Sequence, residues 1–110
     1  MSQVSEKEAR NLFDLTIYIR MRLELRLPMI SLKLDELKLV ALTDTKVLAP
    51  GATGAYALNG VVVRPESKQA KAFSIRIDLD PSGDMDRKEL DPLVEEIVDQ
   101  LKIAFYRVSA

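Results

Sequence analysis

The segment TIYIRMRLELRL, Thr16 to Leu27, has the most regular pattern in the chain. Apolar residues occupy every second position, and these are Ile17, Ile19, Met21, Leu23, Leu25 and Leu27. Period 2 is typical of a β-strand that buries one face, because successive side chains of a strand point to opposite sides. The pattern therefore predicts a strand over residues 16–27.

A helix is the alternative for this segment, because Leu, Met, Arg and Glu are good helix formers. Ser5 to Glu8 have the spacing of a capping box, which predicts a helix over about residues 5–14. If that helix continued to residue 27, apolar side chains would surround its second half. A small domain can hardly bury a helix on every side, so we prefer the strand.

Three further strands are expected. Apolar residues alternate over residues 30–41, with a phase slip at Asp35-Glu36 that indicates a β-bulge. Residues 56–64 are rich in β-branched side chains and contain Asn59-Gly60, a possible turn. Residues 73–80 alternate again. Between these strands, residues 44–55 predict a loop and residues 65–71 a polar connection.

The end of the chain predicts an amphipathic helix. Asp91 is a good N-cap, and Pro92 suits the first helical position. An apolar stripe follows at helical spacing, made of Val94, Ile97, Val98, Leu101, Ala104, Phe105 and Val108. The expected fold is α+β: a short N-terminal helix, an antiparallel sheet of about four long strands, and a C-terminal helix packed on one face in two layers. At 110 residues, a single domain is expected.

The composition excludes several kinds of chemistry. The chain has no Cys and no His, so it has no disulfide, no thiolate and no imidazole. No apolar run approaches the length that a membrane span needs, and the N-terminus lacks a secretory h-region, so we expect a cytoplasmic protein. Any catalysis would depend on carboxylates, Lys, Tyr or Ser, and we do not expect an enzyme.

The acidic stretch DLDPSGDMDRKE, Asp78 to Glu89, has the spacing of a twelve-residue calcium loop. Gly83 stands where such a loop turns sharply, and Asp84 would offer its backbone carbonyl. The candidate Ca²⁺ ligands are Asp78, Asp80, Ser82, Asp84, Asp86 and Glu89. In this pattern the stretch resembles the loop of the EF-hand family, a resemblance that covers twelve of the 110 residues. It implies calcium binding.

The same stretch also has a simpler interpretation as a turn between a strand and the C-terminal helix. Pro81 restricts φ at the fourth loop position, where the EF-hand family favours a residue that tolerates positive φ. The family also has a helix before the loop, whereas residues 73–79 alternate like a strand. The conformation of residues 73–79 therefore distinguishes the two interpretations.

The polar face of the predicted strand 16–27 is a second candidate site. On a strand, its members would project together, and they are Tyr18, Arg20, Arg22 and Arg26. Such a face could bind phosphates or an acidic protein. The overall charge of −1 argues against a dedicated nucleic-acid binder.

Long strands in a small domain leave exposed edges, and pairing with another copy is one way to cover them. We therefore expect a non-catalytic interaction or assembly subunit, homo-oligomeric or bound to another protein, with a phage tail or connector component as one example. The alternatives are a calcium- or ligand-binding domain that uses residues 78–89, and a binder of nucleic acid or an acidic partner that uses residues 16–27.

Overall fold

A computed structural model describes residues 6–42, 53–81, 83 and 86–106. Helix α1 spans Glu6–Arg26, strands β1, β2 and β3 span Lys33–Ala41, Gly54–Arg64 and Gln69–Leu79, and helix α2 spans Asp91–Tyr106. The three strands form one antiparallel sheet in the order β1-β2-β3. The α+β class is confirmed, but the described residues form three strands and not four.

The prediction of a strand over residues 16–27 is wrong, because these residues complete α1 and a following 3₁₀ turn, Leu27–Ile30. The alternation conceals two helical rows of period 4. Leu15, Ile19 and Leu23 are at most 1% exposed and face the core. Ile17, Met21 and Leu25 are offset from them by two residues, which is roughly 200° around the helix axis. One row is therefore buried while the other faces away from the core.

Strand β1 contains the predicted β-bulge. Its register with β2 shifts between Leu34 and Glu36, so Asp35 is the extra residue. The predicted turn at Asn59-Gly60 is wrong, because both residues lie inside β2 and pair with β1 and β3. The turn that joins β2 to β3 lies at residues 65–68. The predicted loop over residues 44–55 falls mostly outside the described residues, as do Ser5 and Val108.

The core lies between the two helices and one face of the sheet. Leu58 pairs with Leu39 on one side and Ile75 on the other, and all three contribute to the apolar cluster that includes Ile19 and Ile97. The opposite face of the sheet carries smaller and more polar side chains, such as Ala57, Asn59 and Ser74. Helices α1 and α2 also contact each other.

The predicted C-terminal helix is confirmed, with Asp91 as its first residue. Of its predicted apolar stripe, Val94, Ile97, Val98 and Leu101 are buried, whereas Phe105 is partly buried and Ala104 is exposed. Within the described residues, no helix is both long enough and apolar enough to cross a membrane.

Candidate interaction surface

The second apolar row of α1 forms an exposed surface. Four large apolar side chains, spaced four residues apart, are exposed along it: Phe13, Ile17, Met21 and Leu25, hereafter the outer row. Their exposed fractions are 64%, 40%, 56% and 64%. Met29, in the 3₁₀ turn after α1, continues the same spacing and is also exposed.

Single exposed hydrophobic residues are common on soluble proteins, but a contiguous row is less so. Leu42 is of the isolated kind, and Ile103 has only the exposed Tyr106 one turn away, so neither belongs to an extended row among the described residues. The outer row instead runs along three turns of one helix, which presents a continuous ridge of side chains to a partner. Ridges of this kind are how helices pack against each other.

Polar side chains, most of them charged, flank the outer row on both sides. Arg10, Asp14, Tyr18, Arg22 and Arg26 follow each other at four-residue intervals along one side, between the outer row and α2. Arg20 and Glu24 lie along the other side. The surface thus has an apolar centre and a polar rim, as protein interfaces commonly do.

The predicted arginine face does not exist as one surface, because it depended on residues 16–27 being a strand. On a helix, Arg20 lies roughly 200° from both Tyr18 and Arg22. Tyr18 and Arg26 instead bind the other helix. The Tyr18 hydroxyl donates to Asp91 Oδ1 at 2.6 Å, and the Arg26 guanidinium forms a bidentate pair with the Glu95 carboxylate, with Nη2 to Oε2 at 3.2 Å.

These contacts change the acid–base properties of the groups involved. The hydrogen bond to Asp91 raises the pKa of Tyr18, and desolvation and the charge of Asp91 add to that effect. The hydrogen bond from Arg26 lowers the pKa of Glu95. Two of the four side chains expected to bind a partner therefore serve to hold α1 beside α2.

The acidic stretch 78–89 begins on the sheet. Residues 73–79 belong to β3, so a strand stands where the EF-hand family has a helix. Asp78 pairs with Ala55 in the sheet, and its Oδ1 accepts from the Arg76 guanidinium at 3.3 Å. Asp86 caps a 3₁₀ turn, Arg87–Glu89, by accepting from the Lys88 amide at 2.9 Å. Both carboxylates therefore already have protein donors.

The centre of the stretch is attached to α1. Pro81 is buried, and the side-chain amide of Asn11 donates to the carbonyl oxygens of Pro81 at 2.9 Å and Gly83 at 3.0 Å. The Gly83 amide closes a turn onto the Asp80 carbonyl at 3.2 Å. Such a hydrogen-bonded turn after a strand favours the turn interpretation.

Two of the six proposed calcium ligands, Ser82 and Asp84, lie outside the described residues. Among the residues that are described, no three acidic side chains form a group that could hold a metal ion. Calcium binding by Asp78, Asp80, Asp86 and Glu89 stays a prediction.

A groove of about 630 Å³ opens at the C-terminal end of α1. Leu27, Pro28, Leu32, Leu34 and Pro65 form its apolar lining. Its charged residues are Glu24, Lys33 and Glu66. The lining offers contact area for an apolar group.

The outer row could have been found in the sequence. Phe13, Ile17, Met21 and Leu25 have helical spacing. The sequence pattern hides this spacing because the core row of α1 fills the positions halfway between them. A period-2 pattern that is built from Leu, Met, Arg and Glu is the signal for two such rows.

Comparison of the chain with family models, with curated proteins and with solved structures finds no match.

Proposed function

We propose that this chain is a non-catalytic assembly subunit that acts as a homo-oligomer, alone or together with another protein. The observation that carries the proposal is the outer row: four large apolar side chains in line on one exposed helix face. Burying such side chains against a partner is favourable by roughly 25 cal/mol for each Å² removed from water. A partner is therefore the simplest reason for keeping them.

The sheet supports the same proposal. β1 and β3 are the outer strands of the described sheet. β1 carries the bulge and several charged side chains, features that discourage pairing at an edge. β3 pairs with β2 without a bulge from Gln69 to Leu79, so its other edge is regular and long. A helix ridge and a regular strand edge would give each subunit two different contact surfaces.

Two separate contact surfaces suit a subunit of a larger assembly such as a ring or tube, because each copy can then contact more than one neighbour. A phage tail or connector component is one example of such a subunit. The absence of His and Cys from the sequence agrees with a role in assembly, since the commonest acid–base and nucleophilic groups of enzymes are missing.

The test is the molar mass of the wild-type chain by size-exclusion chromatography with light scattering, over a range of concentrations. We expect the mass to rise above that of the 12.4 kDa monomer as concentration increases. A mass that stays at the monomer value up to roughly millimolar concentration, which corresponds to an association free energy weaker than about −4 kcal/mol, would exclude the proposal.

A further inference from the structure

We propose that the occupant of the outer row is the outer row of a second copy, with the two α1 helices antiparallel about a twofold axis between Ile17 and Met21. This inference rests on the proposed function and adds the partner, the orientation and the register. In this arrangement Ile17 of each copy packs against Met21 of the other, and Phe13 lies beside Leu25.

The flanking charges favour the antiparallel orientation. Asp14 and Arg22 lie on the same side of the outer row, two turns apart, or about 12 Å along the axis. An antiparallel pair about the proposed axis brings this side of both copies together, so Asp14 of each copy lies near Arg22 of the other, twice by symmetry. A parallel pair would instead bring opposite sides together, which places Asp14 near Leu12 and Thr16 and gives it no basic partner.

Both side chains are available for this contact. In the described part of the molecule, neither Asp14 nor Arg22 forms an ion pair or a hydrogen bond through its side chain. The Nε atom of Arg22 is buried and has no hydrogen-bond partner among the described residues. A buried donor without a partner is costly, and a carboxylate from a second copy can approach the same guanidinium.

Charge along the whole helix points the same way. The first half of α1, residues 6–15, carries Glu6, Glu8 and Asp14 against Lys7 and Arg10. The second half carries Arg20, Arg22 and Arg26 against Glu24. Antiparallel packing sets the acidic half of each helix beside the basic half of the other, and it also opposes the two helix dipoles favourably.

The area of the contact predicts its strength. A strip about 30 Å long and about 10 Å wide on each copy gives on the order of 600 Å² in total, below the roughly 1,200 Å² of stable complexes. The α1 pair alone is therefore a weak, concentration-dependent dimer that further contacts of an assembly would reinforce.

Cysteine cross-linking tests the register, and the chain has no Cys of its own to interfere. Ile17→Cys and Met21→Cys chains of different mass are mixed, oxidised gently and separated by mass. The antiparallel pair brings position 17 of one copy within disulfide reach of position 21 of the other, so mixed dimers should exceed either homodimer roughly tenfold. Reduction before analysis should remove all dimers.

A second pair of variants tests the charges without new cross-links. Asp14→Arg and Arg22→Asp should each weaken dimerisation at low salt, because like charges then face each other, and the double variant should restore it. Circular dichroism should show that all three variants keep their helices, since the changes are made away from the core.

The outcomes separate this inference from the proposed function. If each cysteine variant mainly formed disulfides with its own kind, or if the charge double variant stayed as weak as the singles, the antiparallel pair would be overturned while a homo-oligomer remained. A wild-type chain that remains monomeric would overturn both.

Discussion

Gly60 shows how closely one residue of this sheet is determined by its neighbours. It lies in β2 between Leu37 of β1 and Phe73 of β3. A Cβ atom at Gly60 would lie 2.3 Å from Phe73 Cε2 and 2.9 Å from the Glu36 carbonyl oxygen. The Phe73 ring thus occupies the space that a side chain would take, and it fills the core above the glycine.

Gly60→Ala should lower the free energy of unfolding by roughly 1–3 kcal/mol, because the ring and the backbone must move apart. Urea denaturation measures this change in the free energy of unfolding. In a Phe73→Leu background, which lacks the ring, the same substitution should cost less. Equal costs in both backgrounds would show that the ring is not the obstacle.

Tyr56 is buried in the core with no hydrogen-bond partner for its hydroxyl among the residues that the structure describes. Burial raises the pKa of Tyr56, and the nearby charges of Glu8 and Asp80 add to the increase. Removing a buried hydroxyl that lacks a partner relieves its desolvation cost, roughly 1–3 kcal/mol.

Tyr56→Phe should therefore leave the chain as stable as the wild type, or more so, in urea denaturation. A loss of stability comparable to that of a core truncation would show instead that the hydroxyl has a favourable partner.

At the scale of elements, side-chain hydrogen bonds join α1 and the 3₁₀ turn that follows it to α2. Tyr18 donates to Asp91 at the start of α2, Arg26 pairs with Glu95 one turn later, and the Tyr106 hydroxyl donates to the Ile30 carbonyl at 2.6 Å. These contacts set how the two helices lie beside each other. The Arg26–Glu95 pair is partly exposed, so its contribution to stability is small and falls with salt.

The Arg26–Glu95 pair makes a pH-dependent contribution with a defined sign. Because Arg26 lowers the pKa of Glu95 in the folded chain, the pair stabilises the fold fully above the ordinary glutamate pKa of 4.5. That stabilisation is lost as pH falls from there through the lower pKa of the folded state. Glu95→Gln should remove this part of the acid sensitivity.

Urea midpoints at neutral pH and near pH 3 measure the effect. Glu96→Gln is a matched control, because Glu96 is the adjacent exposed residue of α2 and forms no ion pair in the described part of the chain. If both variants reduced the difference between the two urea midpoints equally, the Arg26–Glu95 pair would not be the source of the acid sensitivity.

An element could be predicted from the sequence when its apolar residues lie on one face only. α2 was predictable because its apolar residues form one stripe, and the bulge in β1 was predictable because its phase slips at Asp35. α1 resembles a strand in sequence because its two apolar rows interleave. The helix was rejected on the assumption that both of its apolar rows must be buried within one chain. The structure instead buries one row and leaves the other exposed. The outer row is thus the feature that the monomer does not explain.

At the scale of the whole molecule, the shape is long and thin, with extents of 51 × 22 × 21 Å. α1 alone is about 32 Å long, so it runs along much of the molecule. In a thin molecule, each element has few neighbours. α1 packs against β1 and α2, and its outer row faces away from both and is exposed. The charges that flank the outer row favour its burial against a second copy of the chain.

The most direct test of this account is a comparison of Ile17→Glu with Ile103→Glu by sedimentation velocity at concentrations where the wild type associates. Both substitutions replace an exposed isoleucine on a helix with a good helix former, but only Ile17 belongs to the outer row. We predict that Ile17→Glu sediments as a monomer while Ile103→Glu associates like the wild type. Association of Ile17→Glu to the same extent as Ile103→Glu would contradict the claim that the outer row joins the subunits.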